Sequence, residues 1–255
     1  MIHFKLQLQG DSFKTLLFLN ASFKYYFINT SNLISENTEM KVALIGATGY
    51  AGSALLEELL SREYEVKALI RESNKIEARH NLEIIQVDVM DETAILAGLK
   101  GVDAVISAFN SGWTNPNIYE DYIKGSRSIV NAAKQSGIKR LLVVGGAGSL
   151  YVAPDLQLID SPDFPKEYYA GANGARVLLD ELKNETELNW TMISPPIGFS
   201  AMNPGIRTNN YRVGTETPLM NGNQPGTISA EDLAIALIDE LENGQFIRQR
   251  FTVAY

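Results

Sequence analysis

Gly46-Ala47-Thr48-Gly49-Tyr50-Ala51-Gly52 is the stretch whose residue types and spacing point most directly to chemistry, and that chemistry is the binding of an anion. Glycine lets a backbone turn tightly and come within contact of a ligand. At the first turn of a helix, free N–H groups and the positive end of the helix dipole favour a phosphate. The spacing is G-x-x-G-x-x-G rather than the G-x-G-x-x-G dinucleotide fingerprint, so its meaning depends on what flanks it. Before it, Met40-Lys41-Val42-Ala43-Leu44-Ile45 reads as a strand buried on both faces. After it, Leu55, Leu56, Leu59 and Leu60 recur at helical spacing, with Glu57 and Glu58 opposite. Outside that context the glycines would mean only a tight turn; within it they place Gly46, Thr48, Gly49, Tyr50, Ala51 and Gly52 against a pyrophosphate.

Further candidates follow from the ends of later strands. Glu65-Val66-Lys67-Ala68-Leu69-Ile70 is a second strand, and Arg71 closes it. In nicotinamide-binding folds a carboxylate about twenty residues after the glycines meets the ribose 2′-OH of NAD, whereas Arg accommodates the 2′-phosphate of NADP. Arg71 presents a fork of donors suited to phosphate, which favours NADP(H) over NAD(H), although the adjacent Glu72 could blunt the preference. Leu82–Val87 is a third strand, with Asp88 and Val89 at its carboxyl end. Asp88 is expected either to accept from the adenine amino group or to cap the helix starting at Asp91. A fourth strand ends in Ser107 and Ala108, small enough for a cofactor to pass. A fifth, Ile138–Val144, runs into Gly145-Gly146-Ala147-Gly148-Ser149-Leu150, adding Gly146 to the cofactor candidates.

The elements that must position these groups alternate. Helices are expected from Asp91 to Gly101, from an Asn115-Pro116 cap to Gly137, over 166–184 and from Ser229 onward. Gly171 and Gly174 weaken the third of these by roughly 1 kcal/mol each. Leu188–Ser194 is a sixth strand and Phe251–Ala254 closes the sheet; 198–228, rich in Gly, Pro and Asn, reads as a substrate-side flap with an extended piece at Tyr211-Arg212-Val213. This rhythm predicts an α/β, doubly wound parallel sheet, Rossmann-like, in a single domain over 40–255. Ligands of such sheets bind beyond the carboxyl ends of the strands, where all the candidates fall.

Composition narrows the function classes. A net charge of −8 argues against a general nucleic-acid binder. No cysteine is present, which removes disulfides, thiolate catalysis and Cys-ligated zinc and fits a cytoplasmic protein. With two histidines, His3 and His80, a metal site or Ser-His-Asp triad has little to draw on, and no metal is expected. No run has the length of a membrane-spanning helix. Residues 1–39 hold no sustained periodicity; they are expected to be a weakly ordered upstream extension, with Met40 as the natural start and a targeting peptide as the competing reading. A homo-oligomer is compatible with all of this.

MKVALIGATGYAGSALLEELL, the strand-end Arg71, VVGGAGSL and WTMISPP together make residues 40–255 resemble the atypical short-chain dehydrogenase/reductases, and within them the NmrA-like NAD(P)-binding proteins, some described as NADH-flavin reductases. Ordinary short-chain reductases carry a Ser after the fifth strand and Tyr-x-x-x-Lys on the next helix. Here the resemblance makes Ser149 and Tyr169 the catalytic candidates, with Tyr168 beside the latter, yet Ala172 and Asn173 stand where the Lys belongs. An unassisted Tyr, of ordinary pKa near 10, is a poor base at neutral pH. The resemblance therefore implies an NAD(P)H-dependent transfer of hydride to a flavin, quinone or similar conjugated acceptor, where the protein positions two flat rings and water supplies the proton. The alternative it implies is an NADP-binding redox sensor that turns nothing over. Phe109, Trp113 and Leu150 are expected to wall the ring slot; Arg207 or Arg212 would meet a phosphate tail or face solvent.

Overall fold

Val42 and Leu44 alternate with Ala43 and Ile45 along the first core strand, and all four are buried because helices cover both sides of the sheet. The computed structural model describes residues 40–255 and, before them, the two-residue strands Lys5–Leu6, Lys14–Thr15 and Ile28–Asn29, which pair antiparallel in a unit of their own. The expectations for residues 1–39 otherwise lie outside the described residues. From Met40 the order is β1 (Lys41–Ile45), α1 (Tyr50–Ser61), β2 (Glu65–Ile70), β3 (Leu82–Gln86), α2 (Glu92–Gly98), β4 (Ala104–Ser107), α3 (Ile118–Ser136), β5 (Arg140–Val144), α4 (Lys166–Lys183), β6 (Asn189–Ser194), β7 (Arg212–Gly214), α5 (Ala230–Asn243) and β8 (Gln249–Ala254).

These strands form an eight-stranded sheet in the order β3-β2-β1-β4-β5-β6-β8-β7, parallel except for β7 against β8. Helices α1 and α5 pack on one face; α2, α3 and α4 cover the other. The strand order reverses between β1 and β4, both neighbours of each other and the starting points of opposite windings. Among the described residues no helix is long and apolar enough to cross a membrane.

Several bounds differ from expectation by two or three residues, as at α2 (Glu92–Gly98) and β5 (Arg140–Val144), and the start of α3 does so for a specific reason. Asn115-Pro116 does not open α3. The Asn115 carbonyl oxygen of the side chain accepts from Asn117 N–H at 2.9 Å, its amide donates to Asp121 at 2.8 Å, and Asn117 takes the cap position of a helix that begins at Ile118. Gly137, at φ +80°, ends that helix as expected.

The flap is tied down at its base. Ser229 Oγ accepts from Asp232 N–H at 3.1 Å, capping α5. The buried Asp232 carboxylate in turn accepts from Thr208 N–H at 2.7 Å, Asn209 N–H at 2.9 Å and the Tyr255 hydroxyl at 2.6 Å. Burial would raise its pKa, but the bonds from Tyr255, Thr208 and Asn209 outweigh that and hold it below the usual carboxylate range. A depressed folded-state pKa gives stability that is fully present above the unfolded value of about 4 and is lost as pH falls through the folded value. Asp232→Ala is accordingly expected to cost about 3 kcal/mol at pH 7. In urea titrations this gap to the parent should narrow as pH falls below about 4; an unchanged gap down to pH 2 would contradict the assignment.

Candidate functional site

The glycine turn is built by close backbone approach. Gly46 has φ +84°, and a Cβ there would lie 2.6 Å from the Ala108 carbonyl oxygen. A Cβ on Gly52 would lie 1.9 Å from the Gly46 carbonyl oxygen. Only bare Cα atoms let β1, the end of β4 and the start of α1 meet this closely. Gly49 N–H donates to Gly46 O at 3.0 Å, and Gly49 caps α1 without a side-chain bond to the helix. The first-turn amides of Tyr50, Ala51 and Gly52 thus keep their hydrogen-bonding capacity for a ligand, and no acidic residue occupies that turn. Ala47 is buried beneath the turn and Thr48 is exposed above it.

Tyr50 serves the turn in a way its sequence position did not reveal. Its hydroxyl donates to Pro204 O at 3.0 Å and its ring lies 5.0 Å from that of Phe199, so the side chain joins the start of α1 to the flap. Burial, with Glu231 nearby, pushes the phenol above the ordinary tyrosine range and keeps it a neutral donor.

The other candidates line the same carboxyl edge. Arg71 stands exposed one residue past β2, while Glu72 pairs with Lys75 at 2.9 Å. Asp88 is exposed and accepts from Met90 N–H at 3.0 Å; the cap of α2 is Asp91, which accepts from Ala94 N–H at 3.0 Å. Val89 is buried against Gly125. Ser107 is buried and accepts from Phe109 N–H at 3.4 Å, and Ala108 abuts Gly46. Gly146 faces α4, where a Cβ would meet that of Ala175 at 3.4 Å.

Ser149 is buried, and its Oγ accepts from the buried Arg250 guanidinium at 3.3 Å; Arg250 also forms an ion pair with Glu216. Tyr169 is exposed on α4 with its ring edge-on to Phe164. Asn173, where a Lys would be required, accepts from Arg176 at 2.7 Å, and Arg176 pairs with Asp160 at 2.8 Å.

The expected ring walls separate into three cases. Leu150 is wholly buried and cannot wall an open slot. Phe109 stacks on Tyr122 at 5.9 Å and sits over Gly125, inside the packing between β4 and α3. Trp113 remains exposed at the edge. Arg212 and Arg207 are also engaged: the first donates to Tyr255 O at 2.9 Å, the second to Asn209 at 2.8 Å.

One polar group escaped the sequence reading. Ser194 Oγ, at the carboxyl end of β6, is buried without a hydrogen-bond partner among the described residues. A buried hydroxyl left unpaired costs about 1–3 kcal/mol, and with no exposed surface Ser194 is not open to a ligand in this arrangement. The signal in the chain was faint: a serine ending an apolar strand just before Pro195-Pro196.

The sequence profile of the NAD(P)H-binding family matches residues 46–244. A Bacteroides thetaiotaomicron structure described provisionally as an epimerase is 40% identical, superposes with a TM-score of 0.76 and covers 86% of this chain and 98% of its own. A Streptococcus pneumoniae structure described provisionally as an NADH-flavin reductase is 38% identical, with a TM-score of 0.72 and coverage of 84% and 99%. Bacillus subtilis YwnB, of uncharacterised function, is 37% identical over 216 residues, 84% of this chain and 98% of YwnB.

Proposed function

The chain belongs to the NAD(P)H-binding family, and from that premise we propose that it is an NADPH-dependent reductase of a flat, conjugated acceptor such as a flavin or quinone. The observation that carries the reading is the glycine turn: backbones in contact at Gly46 and Gly52, with uncapped amides at Tyr50 to Gly52. Resemblance to the Streptococcus pneumoniae protein supports the acceptor class.

In this reading the amides of Tyr50, Ala51 and Gly52 hold the diphosphate, and Asp88 accepts from the adenine amino group. Arg71 meets the 2′-phosphate; with Glu72 held by Lys75, the local charge favours NADP(H) over NAD(H). When bound, the dinucleotide supplies a hydride from nicotinamide C4, and the acceptor ring takes that hydride with a proton from water. The chain's part is to align two rings and exclude competing geometries. No Lys assists Tyr169, and the buried Ser149 already accepts from Arg250, so neither is placed to exchange the acceptor's proton. The absence of cysteine suits work in the cytoplasm.

The missing Lys also favours a second reading, an NADP-binding redox sensor without turnover. NADPH oxidation with riboflavin, FMN and small quinones, run beside calorimetric titration of the dinucleotides, separates the two: micromolar binding with no turnover on that panel would replace the reductase by the sensor. On the same instrument Arg71→Ala is expected to weaken NADPH binding about thirtyfold and to leave NADH within about twofold. Equal loss for both dinucleotides would remove Arg71 from the 2′-phosphate.

A further inference from the structure

Trp113 is 59% exposed and Tyr168 42% exposed, and their rings meet edge to face at 5.6 Å and 89°. Trp113 lies on the loop after β4, five residues past the Ala108 carbonyl that abuts the glycine turn; Tyr168 lies in the first turn of α4. Large aromatic side chains left this open at the ligand edge of the sheet are short of a partner for their faces.

Their placement is built. A Cβ on Gly171 would lie 2.8 Å from the indole Cζ3 of Trp113 and 2.9 Å from Ile118 Cδ1. A glycine inside a helix costs roughly 1 kcal/mol against alanine. Here it lets the indole lie down on α4, one turn from Tyr168, with its remaining surface outward.

From this geometry we infer that Trp113 and Tyr168 form the stacking site for the planar ring of the acceptor, and that the site takes an uncharged ring in preference to a phosphorylated one. This rests on the reductase reading and names its acceptor subsite. The preference follows from charge. The segment that delivers Tyr168 exposes Asp155, Asp163 and Glu167 against Lys166, while Asp160 is neutralised by Arg176. A phosphate carried to this lip meets the net negative charge of that segment. Riboflavin or a neutral quinone meets none of that opposition.

The chain carries its own reporter. Of its two tryptophans Trp190 is 2% exposed, so riboflavin quenching of tryptophan emission reads Trp113 in the parent and in Tyr168→Ala, and calorimetric titration of riboflavin gives the Kd of the Trp113 variants, which lack that reporter. The test is riboflavin and FMN titration of the NADP+-loaded protein, followed by KM measurements for both with NADPH. Trp113→Leu keeps apolar contact with Gly171 and Ile118 but removes the stacking face; Trp113→Phe keeps a ring; Tyr168→Ala removes the other wall.

Riboflavin should bind the parent more tightly than FMN. Its Kd and KM should rise about tenfold in Trp113→Leu and Tyr168→Ala and recover in Trp113→Phe, with NADPH affinity within twofold throughout. Riboflavin turnover with an unchanged KM in Trp113→Leu would overturn this site and leave the reductase standing. FMN binding tighter than riboflavin would overturn the charge preference. Neither binding nor turnover of any ring by the parent would overturn the reductase reading and this site with it.

Discussion

Gly52→Ala is expected to abolish measurable NADPH binding and to destabilise the domain by about 3 kcal/mol or more. The added methyl would sit 1.9 Å from the Gly46 carbonyl oxygen, a backbone atom that cannot rotate away. Relief requires α1 to withdraw from β1, which moves the amides of Tyr50 to Gly52 off the positions a diphosphate would occupy. Gly46→Ala adds left-handed backbone strain, φ being +84°, to a 2.6 Å clash with Ala108 O.

The informative contrast is Gly49→Ala. Its φ is −81° and its Cβ would stand 3.4 Å from Gly46 O, a contact the fold can absorb. Stability should fall by no more than about 1 kcal/mol. NADPH affinity should nonetheless drop about a hundredfold if the phosphate oxygens need the bare Cα to reach the amides. A Gly49→Ala protein that binds NADPH normally would show that the phosphate does not approach from this side.

Glu240→Ala is the second large effect, and it lies on the opposite edge of the sheet. The buried Glu240 carboxylate accepts from Arg140 at 2.8 Å, Thr191 Oγ1 at 3.0 Å, and the amides of Gln245 at 2.9 Å and Phe246 at 3.0 Å. It locks the start of β5, the middle of β6 and the end of α5 together. Burial lowers the Arg140 pKa, and the Glu240 carboxylate is what opposes that. Truncation removes the counter-charge of a half-buried guanidinium, which keeps only the neutral acceptors Asn189 O, Thr191 Oγ1 and Glu240 O, and leaves the Gln245 and Phe246 amides without their acceptor, for an expected loss of about 3 kcal/mol. Denaturant titration should show this as a lower midpoint at unchanged slope. NADPH affinity of the remaining folded protein should match the parent, since the Arg140 end of β5 is remote from the glycine turn. A loss below about 1 kcal/mol would mean that solvent, not Glu240, carries the charge of Arg140.

What could be read from the chain divides by distance along it. The β1–turn–α1 unit was legible because apolar strand, glycines and amphipathic helix are contiguous, and each enforces the next. The doubly wound sheet was legible for the same reason, repeated along the domain. The Asn115-Pro116 start of α3 misled because Asn115 has a local rival use, an Asx turn to Asn117. Leu150 misled because its burial depends on segments that fold over it later.

Gly171 and Gly174 were legible only as weak points of a helix. Their use is non-local: one seats Trp113 and the other Tyr122, each some fifty or so residues earlier. Ser194 was invisible because having no partner is a property of the packed sheet, not of a residue type. The link from Tyr50 to Pro204 spans 154 residues and leaves no pattern in either place.

The central claim is that a dinucleotide diphosphate lies against the backbone amides between Gly46 and Gly52. Titration of the ¹⁵N-labelled protein with NADP+ tests it residue by residue. The account predicts large shifts at the amides of Gly49, Tyr50, Ala51 and Gly52, saturating together with those at Arg71 and Asp88. Binding that leaves the four glycine-turn amides unmoved, or none at millimolar NADP+, would contradict it.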